Sequence, residues 1–181
     1  MILVNTVKNH KEHKKTLLKL IDDFEGLHDT EIKNLQTGAK HQATVSNISS
    51  DWSVSKETKR DYLDYFYNHV IQETMNNFGY LLGLSYSDWD IINGWYMRYS
   101  EHGENSWHNH LTGHFTNVYF LELPDSSYKT EVFGKDGKII EYEAKEGDVM
   151  SCPSWMLHRS QPNGPERKTT ILFNSTFEFT G

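Results

Sequence analysis

Residues 103–123 read GENSWHNHLTGHFTNVYFLEL, a histidine-rich segment that runs directly into an aromatic and β-branched one. The composition of the second part, Thr116 to Leu123, predicts a buried β-strand. His108 and His110 precede it as an HxH pair. Because residues i and i+2 of an extended chain project from the same side, both imidazoles can reach one metal ion at about 2.0–2.1 Å. The stretch therefore predicts a β-strand beside part of a metal site.

Other short segments of the C-terminal half have the same strand character. They lie at regular spacing, and the Asp136-Gly137 pair between two of them is typical of a tight hairpin turn. The predicted strands are Asp90–Tyr99, Thr116–Leu123, Tyr128–Phe133, Lys138–Tyr142, Gly147–Cys152 and Thr169–Phe179. Such a set of strands favours a β-sandwich or barrel.

The N-terminal half reads mostly as helix. Leu17, Ile21 and Phe24 recur at helical spacing in a charged stretch and predict one helix with an apolar face. A second, long helix is predicted to begin at Ser55, which can act as its N-cap. The polar residues 36–55 between them predict a loop with a short strand at most. We expect these helices to pack on one sheet of the β core.

Length and composition limit the class of protein. The 181 residues are 36% hydrophobic and 13% aromatic, which suits one domain over 1–181, with mostly helical support in 1–88 and the β core in 89–181. A formal charge of −7 argues against a general nucleic-acid binder. The single Cys152 excludes an internal disulfide. With no apolar run long enough for a membrane span and no signal-peptide pattern, we expect a cytoplasmic protein.

A third histidine follows a second strand pattern. Residues 147–158, GDVMSCPSWMLH, combine a strand, a turn and His158. Two ligands close together and a third from a later strand are typical of β-barrel metal sites of the cupin type. Imidazole suits iron, zinc, copper and nickel, so the ligand type alone leaves the metal open. Arg167 follows, and its planar, permanently charged guanidinium can pair with a carboxylate at two points.

The order of these residues resembles a known signature. Iron(II)- and 2-oxoglutarate-dependent oxygenases carry an HxD pair, a distal histidine and then an arginine. The segment from His158 to Pro162, followed by Arg167, looks like the corresponding part of prolyl hydroxylases. Residues 152–158, CPSWMLH, look closer still to small, uncharacterised members of the group from marine bacteria and phages. The resemblance covers residues 89–179 and implies a double-stranded β-helix, the jelly-roll or cupin-like barrel.

The resemblance also implies an activity and a metal. The chain would be a dioxygenase, in particular a hydroxylase, that couples the oxidative decarboxylation of 2-oxoglutarate to the oxidation of a C–H bond. His108, His110 and His158 would hold Fe(II). The primary substrate is expected to be an amino-acid or peptide side chain, with neither nucleic acid nor membrane as a partner.

For the co-substrate, the resemblance implies an anchor on the last strand. Arg167 would pair with the distal carboxylate of 2-oxoglutarate, and Thr169 and Tyr99 would lie beside it. Lys168 takes the place of Arg167 if the strand is shifted by one residue, since neighbouring residues face opposite ways.

The second ligand departs from the family pattern and leaves alternatives open. His110 stands where these oxygenases normally carry an aspartate, so the metal site would lack the usual negative charge. One alternative is a three-histidine dioxygenase of the cupin type that uses no 2-oxo acid. Another is a non-catalytic, metal-binding β-barrel module. His114, four residues after His110, is a candidate fourth ligand.

Overall fold

The computed structural model describes residues 1–37, 43–83 and 87–179. They form nine β-strands, three α-helices and one short 3₁₀ helix. The strands are β1 Leu3–Thr6, β2 Glu31–Thr37, β3 Ala43–Ser50, β4 Ser87–His108, β5 Phe115–Glu122, β6 Glu131–Val132, β7 Asp148–Pro153, β8 His158–Ser160 and β9 Lys168–Phe179. The helices are α1 His10–Glu25, α2 Asp61–His69 and α3 Gln72–Leu81, and the 3₁₀ helix is Ser126–Tyr128.

The strands form one curled antiparallel sheet. Its order is β1-β7-β5-β9-β4-β3-β2, and β8 pairs with both β4 and β6. The sheet curls along the long strand β4. The first part of β4 pairs with β9, and its last part pairs with β8. The register shifts along these pairings, and His102 has a φ of 61°, which bends the strand between the two parts. The predicted mainly β fold with helices is confirmed.

The central strand β5 buries both of its faces. In β5, Tyr119 and Leu121 face the helices, whereas Val118 and Phe120 face the inside of the curl. The helix-side core includes Leu17, Ile21, Phe24, Tyr62, Phe66, Met75, Phe78, Tyr119, Ile171 and Phe173. The barrel core includes Met97, Tyr99, Val118, Phe120, Val132, Met150, Cys152, Met156 and Leu172. At about 1.5–3 kcal/mol for each large apolar side chain buried, both cores stabilise the sheet.

The predicted helix from Ser55 is interrupted. The structure has turns up to Arg60, the helix α2 from Asp61 and a separate helix α3. The Arg60 guanidinium donates to the backbone oxygens of Val54 and Thr58 as well as to Asp51. Because these carbonyls bond to a side chain, they are not free to start a helix.

Two other segments differ from the prediction. The polar segment predicted as a loop contains β3, because Val45 and Ile48 bury their side chains in the barrel core; residues 38–42 lie outside the described ranges. The predicted pair of strands around Asp136-Gly137 is reduced to β6 and one isolated bridge between Phe133 and Ile139. In the described part of the chain, each helix is too short or too polar to cross a membrane.

Candidate metal centre

Three histidines meet inside the curl of the sheet. The ring nitrogens that His108, His110 and His158 can offer a metal all lie within 4.8 Å of one another. The ring centres are 4.4 Å apart for His108 and His158, 4.9 Å for His110 and His158, and 5.2 Å for His108 and His110. His158 is buried and the other two are partly buried. The cluster is therefore compact, with one ring buried and two reached from the protein surface.

Different local structures place the three rings. His108 and His158 are directly opposite each other in the antiparallel pair of β4 and β8. His110 lies just past the end of β4, because the predicted extended HxH strand stops at His108, two residues too early to orient it. Its backbone N–H instead donates to the Ser154 oxygen at 2.9 Å, which ties the segment to the turn before β8.

Hydrogen bonds fix the tautomer of each ring. His108 Nδ1 donates to the Ser106 oxygen at 2.7 Å, and His158 Nδ1 donates to the Met156 oxygen at 3.0 Å. His110 Nδ1 donates to Asn174 Oδ1 at 2.8 Å. With Nδ1 protonated, Nε2 of each ring keeps its lone pair. This is the usual arrangement of metal-binding histidines, whose second nitrogen is held by an oxygen acceptor.

The electrostatics of the cluster suit a cation. Burial lowers the pKa of all three histidines. It lowers the pKa of His110 to about 4 and that of His158 to about 3. The rings are therefore neutral near pH 7 and able to act as ligands. Nε2 of His158 is buried and has no hydrogen-bond partner among the described residues, which is costly for a polar atom unless something else pairs with it. The residues thus fit a divalent transition metal.

Asn174 is a site residue that the sequence did not reveal. Besides accepting from His110, it donates through Nδ2 to Asn93 Oδ1 at 2.8 Å, and Thr116 Oγ1 donates to its Oδ1 at 3.2 Å. This network holds the His110 ring in place. The only signal in the sequence is its position in a strand pattern, on the same face as Leu172 of the barrel core.

His114 lies apart from the cluster. Its Nδ1 accepts a hydrogen bond from the Phe177 backbone N–H at 3.2 Å, and Thr176 Oγ1 lies 2.9 Å from the same nitrogen. The predicted role of His114 as a fourth ligand is therefore not supported by its position.

The register of β9 decides which residues face the histidines. Arg167 and Thr169, expected beside the co-substrate, lie on the helix-facing side. There the guanidinium makes two hydrogen bonds of 2.8 and 2.9 Å to the Glu122 carboxylate, and Thr169 donates to the same group. The side chain of Arg167 is 47% exposed. Lys168 takes the inward position instead, because successive residues of a strand face opposite ways.

Lys168 is a buried cation in the barrel. Its Nζ donates to Ser160 Oγ and, at 3.0 Å, to the Tyr128 backbone oxygen, and it lies 4.1 Å from the centre of the Tyr99 ring. Ser160 and His158 share a face of β8. Burial lowers the pKa of Lys168 to about 7. Tyr99, predicted near the co-substrate, thus packs directly under the amine, and burial raises its pKa.

A cavity of about 290 Å³ opens beside the cluster. His108 and His110 form part of its wall, and Trp95 stands next to His110 with 5.5 Å between the ring centres. Trp52 lies at the same cavity and is 54% exposed. The cavity gives a small molecule access to the histidine cluster.

Comparisons with known proteins agree on the fold. No protein-family model and no curated protein matches the sequence. A prolyl-4-hydroxylase from Pseudomonas putida is 13% identical, with a TM-score of 0.56 over 98% of this chain and 92% of that one. A viral collagen prolyl hydroxylase from Paramecium bursaria Chlorella virus-1, solved as a 2OG complex, is 13% identical, with a TM-score of 0.57 over 96% and 94%. An oxidoreductase of the 2OG-Fe(II) oxygenase family from Burkholderia pseudomallei is 9% identical, with a TM-score of 0.54 over 92% and 90%. The chain therefore has the jelly-roll fold of prolyl hydroxylases and other 2OG-Fe(II) oxygenases, and the predicted resemblance is confirmed for the fold.

Proposed function

We propose that this protein is an Fe(II)- and 2-oxoglutarate-dependent oxygenase that acts as a hydroxylase. The observation that carries the proposal is the cluster of three neutral histidines, His108, His110 and His158, each with Nδ1 bound to an oxygen acceptor. Its position inside the fold shared with prolyl hydroxylases supports the same assignment.

In this proposal the three imidazoles hold the iron and the protein positions everything around it. The bound iron supplies the oxidative decarboxylation of 2-oxoglutarate with O₂, coupled to the oxidation of a substrate C–H bond. The carbonyl oxygens of Ser106 and Met156 and the amide of Asn174 keep the rings in the ligand tautomer. The apolar barrel core excludes water from the interior of the site.

Lys168 is the anchor for the distal carboxylate of 2-oxoglutarate in this proposal. Of the cations expected on β9 it is the one that is buried, whereas Arg167 is neutralised by Glu122 on the other face. Burial alone lowers its pKa, and no acidic side chain of the described residues opposes this. A carboxylate beside the amine would complete an ion pair and raise the pKa again. The amine also makes a cation–π contact with the face of the Tyr99 ring.

The test is co-substrate binding under anaerobic conditions. Purified protein loaded with Fe(II) should develop the weak metal-to-ligand absorption of a 2-oxoglutarate complex, and adding O₂ should release succinate. We expect Lys168→Ala to weaken 2-oxoglutarate binding roughly a hundredfold or more, because a buried ion pair is lost. Arg167→Ala is the matched control, one residue away, and should bind like the unmodified protein. The absence of the absorption in protein shown to contain iron would refute the proposal.

One observation favours a second candidate, a three-histidine dioxygenase that uses no 2-oxo acid. In the described ranges the ligand cluster contains no carboxylate, so the site lacks the charge that 2-oxoglutarate-dependent enzymes usually provide. The Lys168→Ala and Arg167→Ala variants distinguish the two candidate functions. If Lys168→Ala leaves the metal-dependent oxygenation of a substrate unchanged and 2-oxoglutarate gives no absorption, the second candidate is correct.

A further inference from the structure

The cavity beside the histidine cluster has no charged wall. Its described lining includes no aspartate, glutamate, lysine or arginine. Its polar side chains, apart from the histidines, are Ser50, Asn105 and Asn109. The apolar walls are Ile32, Val45, Ile48, Met97, Trp52 and Trp95. Away from the metal site, a charged group in this cavity would lose its hydration without gaining an ion-pair partner among these side chains, which is unfavourable.

The backbone at Trp52 is anchored by hydrogen bonds, although the indole ring is exposed. Its backbone N–H donates to Ser50 Oγ at 3.2 Å. The preceding residue, Asp51, is fully buried and accepts hydrogen bonds of 2.6 Å from both Arg60 and Tyr62. The backbone that carries the indole is therefore anchored at the mouth of the cavity. Tryptophan offers apolar groups a large contact surface with few rotatable bonds, so binding to it costs little conformational entropy.

The size of the cavity also limits what can enter. Its volume of about 290 Å³ is at the lower end of ligand pockets, which span roughly 300–1,000 Å³. It therefore suits one side chain or ring and not a large molecule. A second cavity of about 390 Å³ shares Trp52 and Trp95 with it, and its lining includes the charged residues Asp51, Lys56 and Arg60. The remainder of a larger substrate has space there.

We infer that the primary substrate presents an uncharged apolar side chain or ring to the metal while its charged groups stay outside the cavity. This inference rests on the proposed function and adds the class of substrate to it. We therefore expect free α-amino acids to bind more weakly, because their ammonium and carboxylate groups lie next to the side chain and would be drawn towards an uncharged pocket. An apolar residue within a peptide satisfies the condition, since amide groups replace both charges.

The experiment compares blocked and free amino acids as ligands. Protein loaded with Mn(II) and 2-oxoglutarate, without O₂, is titrated calorimetrically with N-acetyl-L-leucinamide and N-acetyl-L-phenylalaninamide. Free leucine, free phenylalanine and the N-acetyl amide of glutamate are titrated alongside. We expect the two neutral amides to bind at least about tenfold more tightly than the charged compounds. Equal or tighter binding of the charged compounds, or no binding of the neutral amides, would overturn the inference.

Two tryptophan variants test the role of the wall. Trp52→Ala should weaken binding of the neutral amides roughly tenfold, because it removes an aromatic contact. Trp155→Ala is the matched control, since Trp155 is 53% exposed and does not line the cavity. An equal effect of both variants would contradict the inference. Binding is measured without turnover, so the outcome is separate from that of the proposed function: if Fe(II) gives no 2-oxoglutarate absorption while the amides still bind, only the proposed function fails.

Discussion

At the scale of single residues, Asn174 controls the orientation of one ligand. We expect Asn174→Leu to weaken metal binding by about 10–100-fold, because His110 Nδ1 then loses the acceptor that fixes its tautomer. The dissociation constant for Co(II) or Mn(II), measured by competition with a chelator, checks this.

Thr176→Val is the control for the Asn174 substitution. Thr176 lies on the same strand and contacts His114, which is outside the cluster. An unchanged metal affinity of Asn174→Leu, or an equal loss in Thr176→Val, would show that Asn174 does not position His110.

The buried amine of Lys168 predicts a pH dependence of co-substrate binding. In the absence of ligand its pKa is about 7, and only the charged form pairs with a carboxylate. Binding raises this pKa, so affinity is fully present below pH 7 and is lost as the pH rises above it, by up to about tenfold per pH unit. Titration of 2-oxoglutarate into Mn(II)-loaded protein from about pH 6 to about pH 9 measures the slope. Lys168→Arg stays charged over this range, so a slope equal to that of the unmodified protein would contradict the assignment.

The sequence predicted the convergence of the three histidines better than it predicted which cation of β9 faces inward. The spacing of His108, His110 and His158 was enough to predict that the three rings meet. Two neighbouring histidines and one from a later strand can come together in more than one strand register. The choice between Arg167 and Lys168 depended on which face of β9 points inward. A shift of one residue reverses every side chain of a strand, and only the structure shows that Glu122 holds Arg167 on the helix side.

At the scale of elements, β4 and α2 approach closely at Gly94. A Cβ at Gly94 would lie 2.1 Å from the Tyr67 hydroxyl and 3.2 Å from the Leu172 backbone oxygen. We therefore expect Gly94→Ala to reduce the free energy of unfolding by about 1–3 kcal/mol through overpacking. Urea denaturation measures it. Gly26→Ala is the control, because its Cβ would come no closer than 3.5 Å to a neighbour.

A second substitution isolates the contact between the two elements. Tyr67→Phe removes the hydroxyl, which is buried without a hydrogen-bond partner among the described residues. Gly94→Ala should then cost less than in the unmodified protein, and the double-mutant cycle gives a coupling of about 0.5–3 kcal/mol. Additive effects would mean that the clash is relieved elsewhere, by movement of the Leu172 backbone.

Strands with a clear pattern were predicted well, and elements shaped by distant contacts were not. The predicted strands of β4, β5, β7 and β9 all form, since their apolar residues can be buried on two faces. The start of α2 depends on the buried pair of Asp51 and Arg60. Such an ion pair is a tertiary contact, and local sequence propensity carries no information about it.

At the scale of the whole molecule, the metal should stabilise the fold. The ligands come from two strands and the segment after β4, and all three are brought together only in the folded protein. Binding to the native state alone adds about 2.7 kcal/mol at a hundredfold excess of metal over its dissociation constant. A rise in the thermal midpoint with Mn(II), reversed by chelator, is therefore expected. His158→Ala should remove the rise and His114→Ala should keep it; the reverse pattern would refute the ligand set.

Hydrophobic patterning predicted the core strands of the C-terminal half and the presence of helices in the N-terminal half, but not the N-terminal strands β1 and β2. The sequence could not predict how far the sheet curls. That curl depends on bulges in β4 and on the left-handed conformation of His102, a residue without glycine's freedom at positive φ. The barrel interior, and with it the face that Lys168 occupies, follows from this bend.

The short strand β1 has a practical consequence for handling the protein. Residues Leu3 to Thr6 cover the outer side of β7, which pairs on its other side with β5. A shortened protein that lacks them would present the unsatisfied amides and carbonyls of β7 as a template for a strand of another molecule. Loss of these four residues should therefore cause the protein to self-associate. Truncated versions of the protein should accordingly keep Leu3–Thr6.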